Sequence, residues 1–301
     1  MAASTLLFVG DVSLDLTMAV SHVPQPDEKV HADRTVEGPG GVVANAAAAA
    51  AASGAAVRLS VRLGNDTASE VLLAGLRAAG LEVEVEHGDS SVYRVVVLIE
   101  PHGEKRLMLD PNPTLFPTLD AIERLSMDGV AHVHTALYGP AAPRLVERCR
   151  EAGVPWSLDL EPATFKEGFD TIAPLVAGAS VVFVNERSAR AIGDGFEQIL
   201  LRTGAKSVIH TMGAEGARYC SEAATFTVAP PSGLAVIDTT GAGDCLAGWF
   251  VAGLAAGLPP QESLRRAVVA ASLSCGRLGG QMSFPDRAAV LSLLQIVESA
   301  A

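Results

Sequence analysis

The residues with the clearest chemical meaning form one short run, Asp238-Thr239-Thr240-Gly241-Ala242-Gly243-Asp244. The pattern predicts a strand ending at Ile237, a tight glycine turn and then an apolar helix. Free amides of Gly241, Ala242 and Gly243 at the positive end of that helix would form an anion site. A carboxylate at Asp244 beside such a site suits a general base that deprotonates a hydroxyl attacking phosphorus. The run therefore predicts phosphoryl transfer, although a capping aspartate after a tight turn would give the same local pattern.

A second group of residues could hold the molecule that carries this hydroxyl. Gly40 and Gly41 lack side chains and would let a ligand hydroxyl approach the backbone amides closely. Asn45, on the next turn, offers both a donor and an acceptor. Asp15 follows the first strand, at an edge where a carboxylate can bind vicinal hydroxyls. The two glycines fit a tightly packed helix entry equally well.

Two further residues near this group have different expected roles. Asp11 alternates to the other face from Asp15, so we predict that it is structural. Asn112 lies in the run Asp110-Pro111-Asn112-Pro113, which returns from the second of two segments with a strand-like pattern. It could contact the substrate or serve the turn.

Other chemistry is poorly supported. The sequence has neither a Gly-x-x-x-x-Gly-Lys-Ser/Thr phosphate loop nor a Gly-x-Ser-x-Gly nucleophile motif. The run Gly241-Ala242-Gly243 fails as a dinucleotide fingerprint, because Leu246 holds the third glycine position. His132 and His134 would share one strand face, but no third ligand has a suitable spacing for zinc.

The elements that must position these residues alternate between strands and helices. Short apolar runs predict buried strands over Leu6–Val9, Val57–Arg62, Ala131–Thr135, Val154–Asp159, Val181–Asn185 and Ser207–Thr211. Helical patterns cover Asn45–Ala52, Thr67–Ala79, Ala142–Ala152, Glu186–Ile192 and Gly195–Thr203, and the chain from Ala242 onward is mainly helical. This alternation predicts an α/β fold, a three-layer sandwich with a mostly parallel central sheet. Ligands of such sheets bind beyond the carboxyl ends of the strands.

Two segments break the alternation. Asp15–Val36 and Ser91–Asp110 have a period-two pattern, with charges on one side. This pattern favours a half-exposed antiparallel flap over a central parallel strand. We therefore expect one domain over residues 1–301, with a small β lid from about 13–36 and 90–112. Because exposed lid edges seek strand partners, the sequence leaves open both a monomer and a homodimer through the lid.

Composition narrows the class of protein. The chain has 301 residues, 49% hydrophobic residues and a mean hydropathy of +0.31, which ensures a sizeable core. The net charge of −12, with no basic patch, argues against nucleic-acid and membrane partners. Four unpatterned cysteines and the absence of a basic leader favour a soluble cytoplasmic protein.

The motifs together resemble those of one family, the ribokinase-like carbohydrate kinases, also called the phosphofructokinase-B family. Its C-terminal signature Asp-Thr-x-Gly-Ala-Gly-Asp matches residues 238–244, and its N-terminal signature Gly-Gly-x-x-Ala-Asn-x-Ala matches residues 40–47. The resemblance spans essentially the whole chain and implies the ribokinase-like fold with its β lid. It also implies that Asp15 binds the sugar and that Ser13 is a neighbouring polar contact.

The resemblance further implies ATP and Mg²⁺ as cofactors. Asn185 falls where the family has an asparagine near the phosphates and metal-bound water. Thr211, Gly213 and Gly216 fall in a strand-end turn near the phosphates. The family pattern Asn-x-x-Glu ends at Ser188 in this chain, so Mg²⁺ is expected to be held mainly by phosphates and water.

A K⁺ site is also implied by the resemblance rather than by spacing. The residues at the corresponding positions are Asp238, Thr240, Ser274, Arg277 through its carbonyl, Gly279 and Ser283. The segment 277–283 could equally form a simple surface turn.

The function expected from the sequence is ATP-dependent phosphorylation of a hydroxyl, in a primary alcohol of a sugar or sugar derivative. Ribose itself is in doubt, because Val42 and Val43 stand where ribokinases usually carry a lysine. Basic residues in or near the lid keep an anionic acceptor open: Arg34, Arg94, Lys105 and Arg106. The sequence also leaves room for a nucleoside kinase, a non-catalytic sugar- or nucleotide-binding regulator and a nicotinamide-linked dehydrogenase.

Overall fold

The computed structural model describes residues 5–101, 105–110 and 116–300, without the side chains of 298–300. Asn112 therefore lies outside the described residues. The strands are β1 Thr5–Gly10, β2 Ser13–Ala19, β3 Arg34–Gly40, β4 Val57–Leu63, β5 Glu82–His87, β6 Arg94–Ile99, β7 Lys105–Leu109, β8 Val130–Thr135, β9 Trp156–Leu160, β10 Val181–Asn185, β11 Ser207–Thr211, β12 Ala217–Ser221 and β13 Thr225–Val228. The helices are α1 Val42–Ala52, α2 Thr67–Ala78, α3 Leu119–Arg124, α4 Ala142–Ala152, α5 Ala173–Val176, α6 Glu186–Ile192, α7 Phe196–Thr203, α8 Ala242–Ala255, α9 Pro260–Ser274 and α10 Arg287–Ala300.

The central sheet has nine strands in the order β13-β12-β11-β10-β9-β8-β1-β4-β5 within the described residues. All neighbours from β11 to β5 pair in parallel, and only β12 and β13 pair antiparallel at one edge. Parallel strands leave their carboxyl ends at one edge of the sheet, so residues that follow β1, β9, β10 and β11 meet there. The predicted α/β class with a mostly parallel sheet is confirmed.

Helices cover both faces of this sheet. Leu6 and Phe8 of β1 pack into a core with α1, α8 and α9, whereas Leu7 and Val9 pack into a second core that includes α4. Adjacent residues of a strand point to opposite faces, so a strand covered on both sides is apolar throughout. The three layers follow from this continuous apolar pattern.

The lid is a separate four-stranded sheet in the order β3-β2-β6-β7 within the described residues. Within each of the two predicted segments the strands pair antiparallel, β2 with β3 and β6 with β7, but β2 and β6 join the segments in parallel, which the expectation of an antiparallel flap did not include. These two strands come from distant parts of the chain, so no tight turn forces them to run in opposite directions. The lid also extends beyond residue 36, since β3 continues to Gly40.

Several predicted element boundaries needed correction. The strand predicted to end at Ile237 is not formed, and Ile237 is exposed in an irregular segment. The amide of Ile237 donates a hydrogen bond to the carbonyl of Cys275 at 2.8 Å. The strand predicted from Val154 begins at Trp156, and the helix predicted from Asn45 begins at Val42. The mainly helical C-terminal third is confirmed by α8, α9 and α10. None of the described helices has the length and apolar character needed to cross a membrane.

Candidate active site

Four polar residues lie at the carboxyl edge of the central sheet. Asp11 follows β1, Glu161 follows β9, and Asn185 and Thr211 are the last residues of β10 and β11. These strands are joined through parallel pairs. The edge therefore collects acidic and amide side chains beside the start of the helices that cover it.

The start of α1 is fixed by a buried carboxylate. The Asp11 side chain accepts hydrogen bonds from the amides of Val42 at 2.8 Å and Val43 at 3.0 Å. It thereby satisfies two amides that a helix N-terminus leaves without partners, and its expected structural role fits this contact. Gly41 precedes them with φ of +97°, and a Cβ there would lie 2.7 Å from Cα of Val12. The second glycine of the pair is thus required by the backbone.

This helix start brings Asn45 to Asp244. Nδ2 of Asn45 donates to Oδ2 of Asp244 at 2.8 Å, and Asn45 is 4% exposed. Burial raises the pKa of Asp244 to about 7, while the bond from Asn45 opposes that shift. A carboxylate with a pKa near neutrality suits proton abstraction at physiological pH.

Asp244 stands in the first turn of α8, behind the glycine turn. Gly241 precedes the helix with φ of +74°, and no side chain caps the first amides. Those amides point to the same end of the helix as its positive dipole, so they can receive an anion. Uncapped amides and a carboxylate thus lie together at one helix start.

Asp15 forms the lid side of the site. It accepts a hydrogen bond from Oγ of Ser13 at 2.5 Å, and its side chain extends toward Gly40, the residue of β3 that pairs with Ser13. A Cβ at Gly40 would lie 2.1 Å from Oδ2 of Asp15, so only glycine leaves room for this carboxylate. Burial raises the pKa of Asp15 to about 6, and the charge of Asp11 adds to the shift.

A narrow gap separates the lid from the segment 279–282. Asp15 lies on its lid wall, and Gln281 lies on the opposite wall. Its volume is about 10 Å³, roughly the space of one water molecule. The remaining residues around the gap are Thr17, Val36, Gly38, Pro39, Gly279, Gly280 and Met282.

A larger cleft of about 410 Å³ opens on the other side of α8. Three of the residues predicted to bind nucleotide line it, namely Thr211, Gly213 and Gly216. Ala242 and Gly243 line the same cleft, so it reaches the uncapped amides at the start of α8. Its other walls are mostly apolar: Ala214, Pro230, Pro231, Leu234, Val236, Leu246, Val268 and Ala271, together with Thr239, Ser272 and Cys275.

Asn185 lies away from these cleft walls and caps α6 instead. Its Oδ1 accepts from the amides of Arg187 and Ser188, and its Nδ2 donates to Oε1 of Glu161 at 3.0 Å. Glu186, which follows it, is exposed and lies 3.2 Å from His210. The structure therefore turns Glu186 toward β11 and brings Glu161 to Asn185.

Glu161 and its neighbour Asp159 are functional candidates that belong to none of the sequence motifs. Asp159 is 8% exposed, and burial raises its pKa, with Glu161 and Asp244 adding to the shift. Burial also raises the pKa of Glu161, while the charge of Arg187 opposes this. A signal was present in the sequence, because acidic residues at the carboxyl end of a predicted buried strand are unusual.

Of the residues expected around a monovalent cation, Asp238, Thr240 and Gly279 are linked directly. The buried Asp238 carboxylate accepts from the amides of Thr240 and Gly279, both at 2.8 Å. Oγ1 of Thr240 is buried without a hydrogen-bond partner. The hydroxyls of Ser274 and Ser283 donate to the carbonyls of Ala271 and Gly280, which leaves their lone pairs free. Arg277 has an exposed side chain in the same segment.

The two histidines of β8 lie in the core. A ring nitrogen of His132 lies 2.9 Å from Oγ of Ser157, and one of His134 lies 2.8 Å from the same atom. No group of three or more histidine, cysteine or acidic side chains is arranged for a metal within residues 5–101, 105–110 and 116–297. These contacts are those of paired core histidines.

Known proteins with similar sequences and structures add independent information. A sequence model described as "pfkB family carbohydrate kinase" matches residues 3–287. Ribokinase from Bacillus subtilis is 29% identical over 95% of this chain and 98% of its own length, and cytidine kinase from Thermococcus kodakarensis is 30% identical over 86% and 92%. The structure of Arabidopsis thaliana ribokinase complexed with ribose and ATP superposes with a TM-score of 0.78 at 24% identity, over 98% of this chain and 99% of that one.

Proposed function

The chain belongs to the pfkB family of carbohydrate kinases, and we propose that it transfers the γ-phosphoryl group of ATP to a primary hydroxyl of a sugar or sugar derivative. The observation that carries the proposal is the position of Asp244, a carboxylate with a pKa of about 7 beside the free amides that begin α8. In this proposal, the central sheet and the lid work as one kinase domain.

Asp244 acts as the general base. It takes the proton of the acceptor hydroxyl as that oxygen attacks the γ-phosphorus and the bond to the β-phosphate oxygen breaks. Asn45 holds the carboxylate in place through its 2.8 Å hydrogen bond. The proton ends on Asp244, and ADP carries away the negative charge of the leaving oxygen.

The amides of Gly241, Ala242 and Gly243 stabilise negative charge on the transferred group. Because the cleft of about 410 Å³ reaches Ala242 and Gly243, a nucleotide in it presents its terminal phosphate to these amides. Thr211, Gly213 and Gly216 line the path of the phosphates, and the apolar walls suit a nucleobase. The acceptor lies on the other side, against Ser13, Asp15, Gly40, Gly41 and Asn45.

The residues present fit Mg²⁺ in a water-mediated mode. Glu161 supplies carboxylate oxygens and is held by a 3.0 Å hydrogen bond from Nδ2 of Asn185, and Mg²⁺ prefers oxygen and keeps several waters. When bound, Mg²⁺ neutralises charge on the phosphates of ATP. Glu161 thus supplies a carboxylate next to Asn185, whereas Ser188, at the position of the family glutamate, has none.

The loops around Asp238 fit K⁺. Thr240 has a buried hydroxyl oxygen without a partner, and carbonyl and hydroxyl oxygens suit a large monovalent ion better than paired carboxylates would. Asp238, Thr240, Ser274, the Arg277 carbonyl, Gly279 and Ser283 would hold it. The ion would order the turn that presents the anion hole.

The proposal includes a homodimer formed through the lid. The lid edge β7 exposes three consecutive apolar side chains, Leu107, Met108 and Leu109, and this edge favours pairing with the lid of a second copy. Sedimentation of the wild type and of Met108→Lys would test that dimer.

The proposal also places the protein in the cytoplasm. The four cysteines are all free, as suits that reducing compartment.

A nucleoside kinase is the second candidate function. It is favoured by the 30% identity to a cytidine kinase over 86% of this chain. A single panel of acceptors distinguishes the two, because a nucleoside kinase would phosphorylate cytidine or adenosine far faster than free sugars.

The experiment that tests the function measures ADP release from MgATP with a panel of sugars, sugar acids, sugar phosphates and nucleosides. We expect turnover with at least one acceptor. Asp244→Asn should lower kcat by about 10²- to 10⁴-fold and leave ATP binding, measured by calorimetry, nearly unchanged. Wild-type turnover retained by this variant would show that Asp244 is not the base. If no acceptor stimulated ADP release, the kinase function itself would be contradicted.

A further inference from the structure

The acceptor side of the site contains a buried donor that has no role in the proton and phosphoryl transfer. Nε2 of Gln281 is buried without a hydrogen-bond partner, and Gln281 lines the gap that Asp15 lines from the lid. A buried N–H without a partner costs free energy, so native structures place few of them without reason. A ligand oxygen in the gap would satisfy this donor.

A second unpartnered atom lies nearby. Oδ1 of Asn45 is buried without a partner, although its Nδ2 is bonded to Asp244. A Cβ at Gly280 would lie 3.7 Å from this oxygen, so the residue that precedes Gln281 passes directly beside it. The gap thus has a donor from Gln281 and an acceptor from Asp15 on its walls, and a further acceptor from Asn45 lies beside Gly280. Together these groups match a molecule with several hydroxyls.

The charges around the gap point to an uncharged ligand. No basic side chain is among the described residues that line it, and Asp15 is a carboxylate. The pKa of Asp15 is raised by burial and by Asp11, and no basic group offsets that shift. A phosphate or carboxylate on the acceptor would therefore meet repulsion here and find no counter-ion.

The basic residues that could have recognised an anion are engaged or directed elsewhere. Arg94 lies 3.5 Å from Asp66, and Arg106 lies 3.7 Å from Glu100. Arg34 pairs with Ala19, four residues along β2 from Asp15, a distance of about 13 Å at strand geometry. Lys105, an exposed residue at the start of β7, is not among the described residues that line the gap.

We propose that Gln281 is a positioning residue for the acceptor, donating from Nε2 to a single acceptor hydroxyl that occupies the gap opposite Asp15, and that the acceptor is an uncharged polyhydroxy molecule rather than a sugar phosphate or sugar acid. This inference rests on the proposed kinase function and narrows its substrate class. Neutral sugars and nucleosides both belong to that class.

The first test compares matched neutral and charged acceptors that each keep a free primary hydroxyl. The pairs are D-fructose with D-fructose 6-phosphate, D-glucose with D-gluconate, and D-ribose with D-ribonate, with cytidine and adenosine as further neutral compounds. We expect kcat/KM for the best neutral acceptor to exceed that of every charged compound by about 100-fold or more. A charged acceptor that matches or exceeds the neutral ones would overturn the assignment.

The second test uses Gln281→Met, which removes the N–H and keeps the length of the side chain. With the best neutral acceptor, its KM should rise about tenfold, as expected for one lost hydrogen bond. The KM for ATP should stay within twofold and kcat at saturating acceptor within threefold, a split that a general loss of structure would not give. Gln261→Met, at the exposed start of α9, is the matched control and should change neither KM.

Failure of this inference differs from failure of the kinase function. An unchanged acceptor KM in Gln281→Met, with active enzyme, would refute the role of Gln281 and leave the kinase in place. ADP release no higher than that of Asp244→Asn with every acceptor would refute the kinase function, and the inference would fall with it.

Discussion

Asn45 of α1 and Asp244 of α8 are joined by a 2.8 Å hydrogen bond between side chains 199 residues apart in the chain. The bond depends on how closely the two helices pack. A Cβ at Gly248 of α8 would lie 2.1 Å from the carbonyl oxygen of Ala46 on α1, so glycine on one helix and an alanine run on the other permit the approach. Asp244, the proposed general base, is therefore held by Asn45, a proposed acceptor contact.

Replacing Asn45 by leucine should shift the pH dependence of the reaction. The bond from Asn45 lowers the pKa of Asp244, and its removal should raise that pKa by about one unit or more above its present value near 7. Because the base must be ionised, kcat in Asn45→Leu should fall at pH 7 and recover in part above pH 8. The pH–rate profiles of both proteins check this. Asn65→Leu, at an exposed turn, should keep the wild-type profile.

Gly40→Ala should disturb acceptor binding without affecting ATP. The added Cβ would lie 2.1 Å from Oδ2 of Asp15, so the carboxylate must move away from the site. We expect the acceptor KM to rise at least about tenfold, with the KM for ATP within twofold. Gly75→Ala is the control, because its Cβ would make only an ordinary 3.6 Å contact with Pro39. Equal effects of the two substitutions would contradict the role assigned to Gly40.

Glu161→Gln should weaken the dependence of nucleotide binding on Mg²⁺. The variant keeps the shape of the side chain and its contact with Asn185, but it removes the charge that would face the proposed metal. Calorimetric titration of ATP with and without Mg²⁺ should show that Mg²⁺ strengthens binding several-fold less in the variant. Glu186→Gln, whose carboxylate faces His210, should behave as wild type. If the variant responds to Mg²⁺ as the wild type does, Glu161 does not contribute to a metal site.

Thr240→Val should abolish stimulation by K⁺. The substitution replaces the buried hydroxyl oxygen that has no partner with a methyl group of similar size. Initial rates in KCl and in choline chloride at equal ionic strength should differ for the wild type and coincide for the variant. Thr239→Val is a useful control, because that residue lines the nucleotide cleft instead. K⁺ stimulation that survives in Thr240→Val would argue against this cation site.

Asp244→Asn should also stabilise the protein at high pH. The native pKa of Asp244 is about 7, above its ordinary 3.8, so the native state binds this proton more tightly than the unfolded state. Stability from this group is fully present below pH 4 and is lost as the pH rises through 7. The variant should therefore raise Tm by about 2 °C or more at pH 8, and by less at pH 5.5. A larger gain at the lower pH would contradict the raised pKa.

Local sequence pattern supports some structural inferences and not others. Strand and helix periodicity predicted the parallel sheet, because a buried strand must be apolar on both faces. It failed at Ile237, where apolar residues next to the glycine turn lie in an exposed irregular segment. It also missed the parallel pairing of β2 with β6, since register between distant segments is set by packing and not by sequence spacing.

The sequence by itself determined the glycine turn before α8, the position of Asp244 in its first turn and the paired glycines before α1, because each depends on residues close together along the chain. Only the tertiary structure decided which distant side chains share the site. It turned Glu186 away to His210, brought Glu161 to Asn185 and set Gln281 opposite Asp15. The physical reason is that hydrogen bonds and charge interactions act over a few ångströms, and only the packed sheet and helices bring such residues within that range.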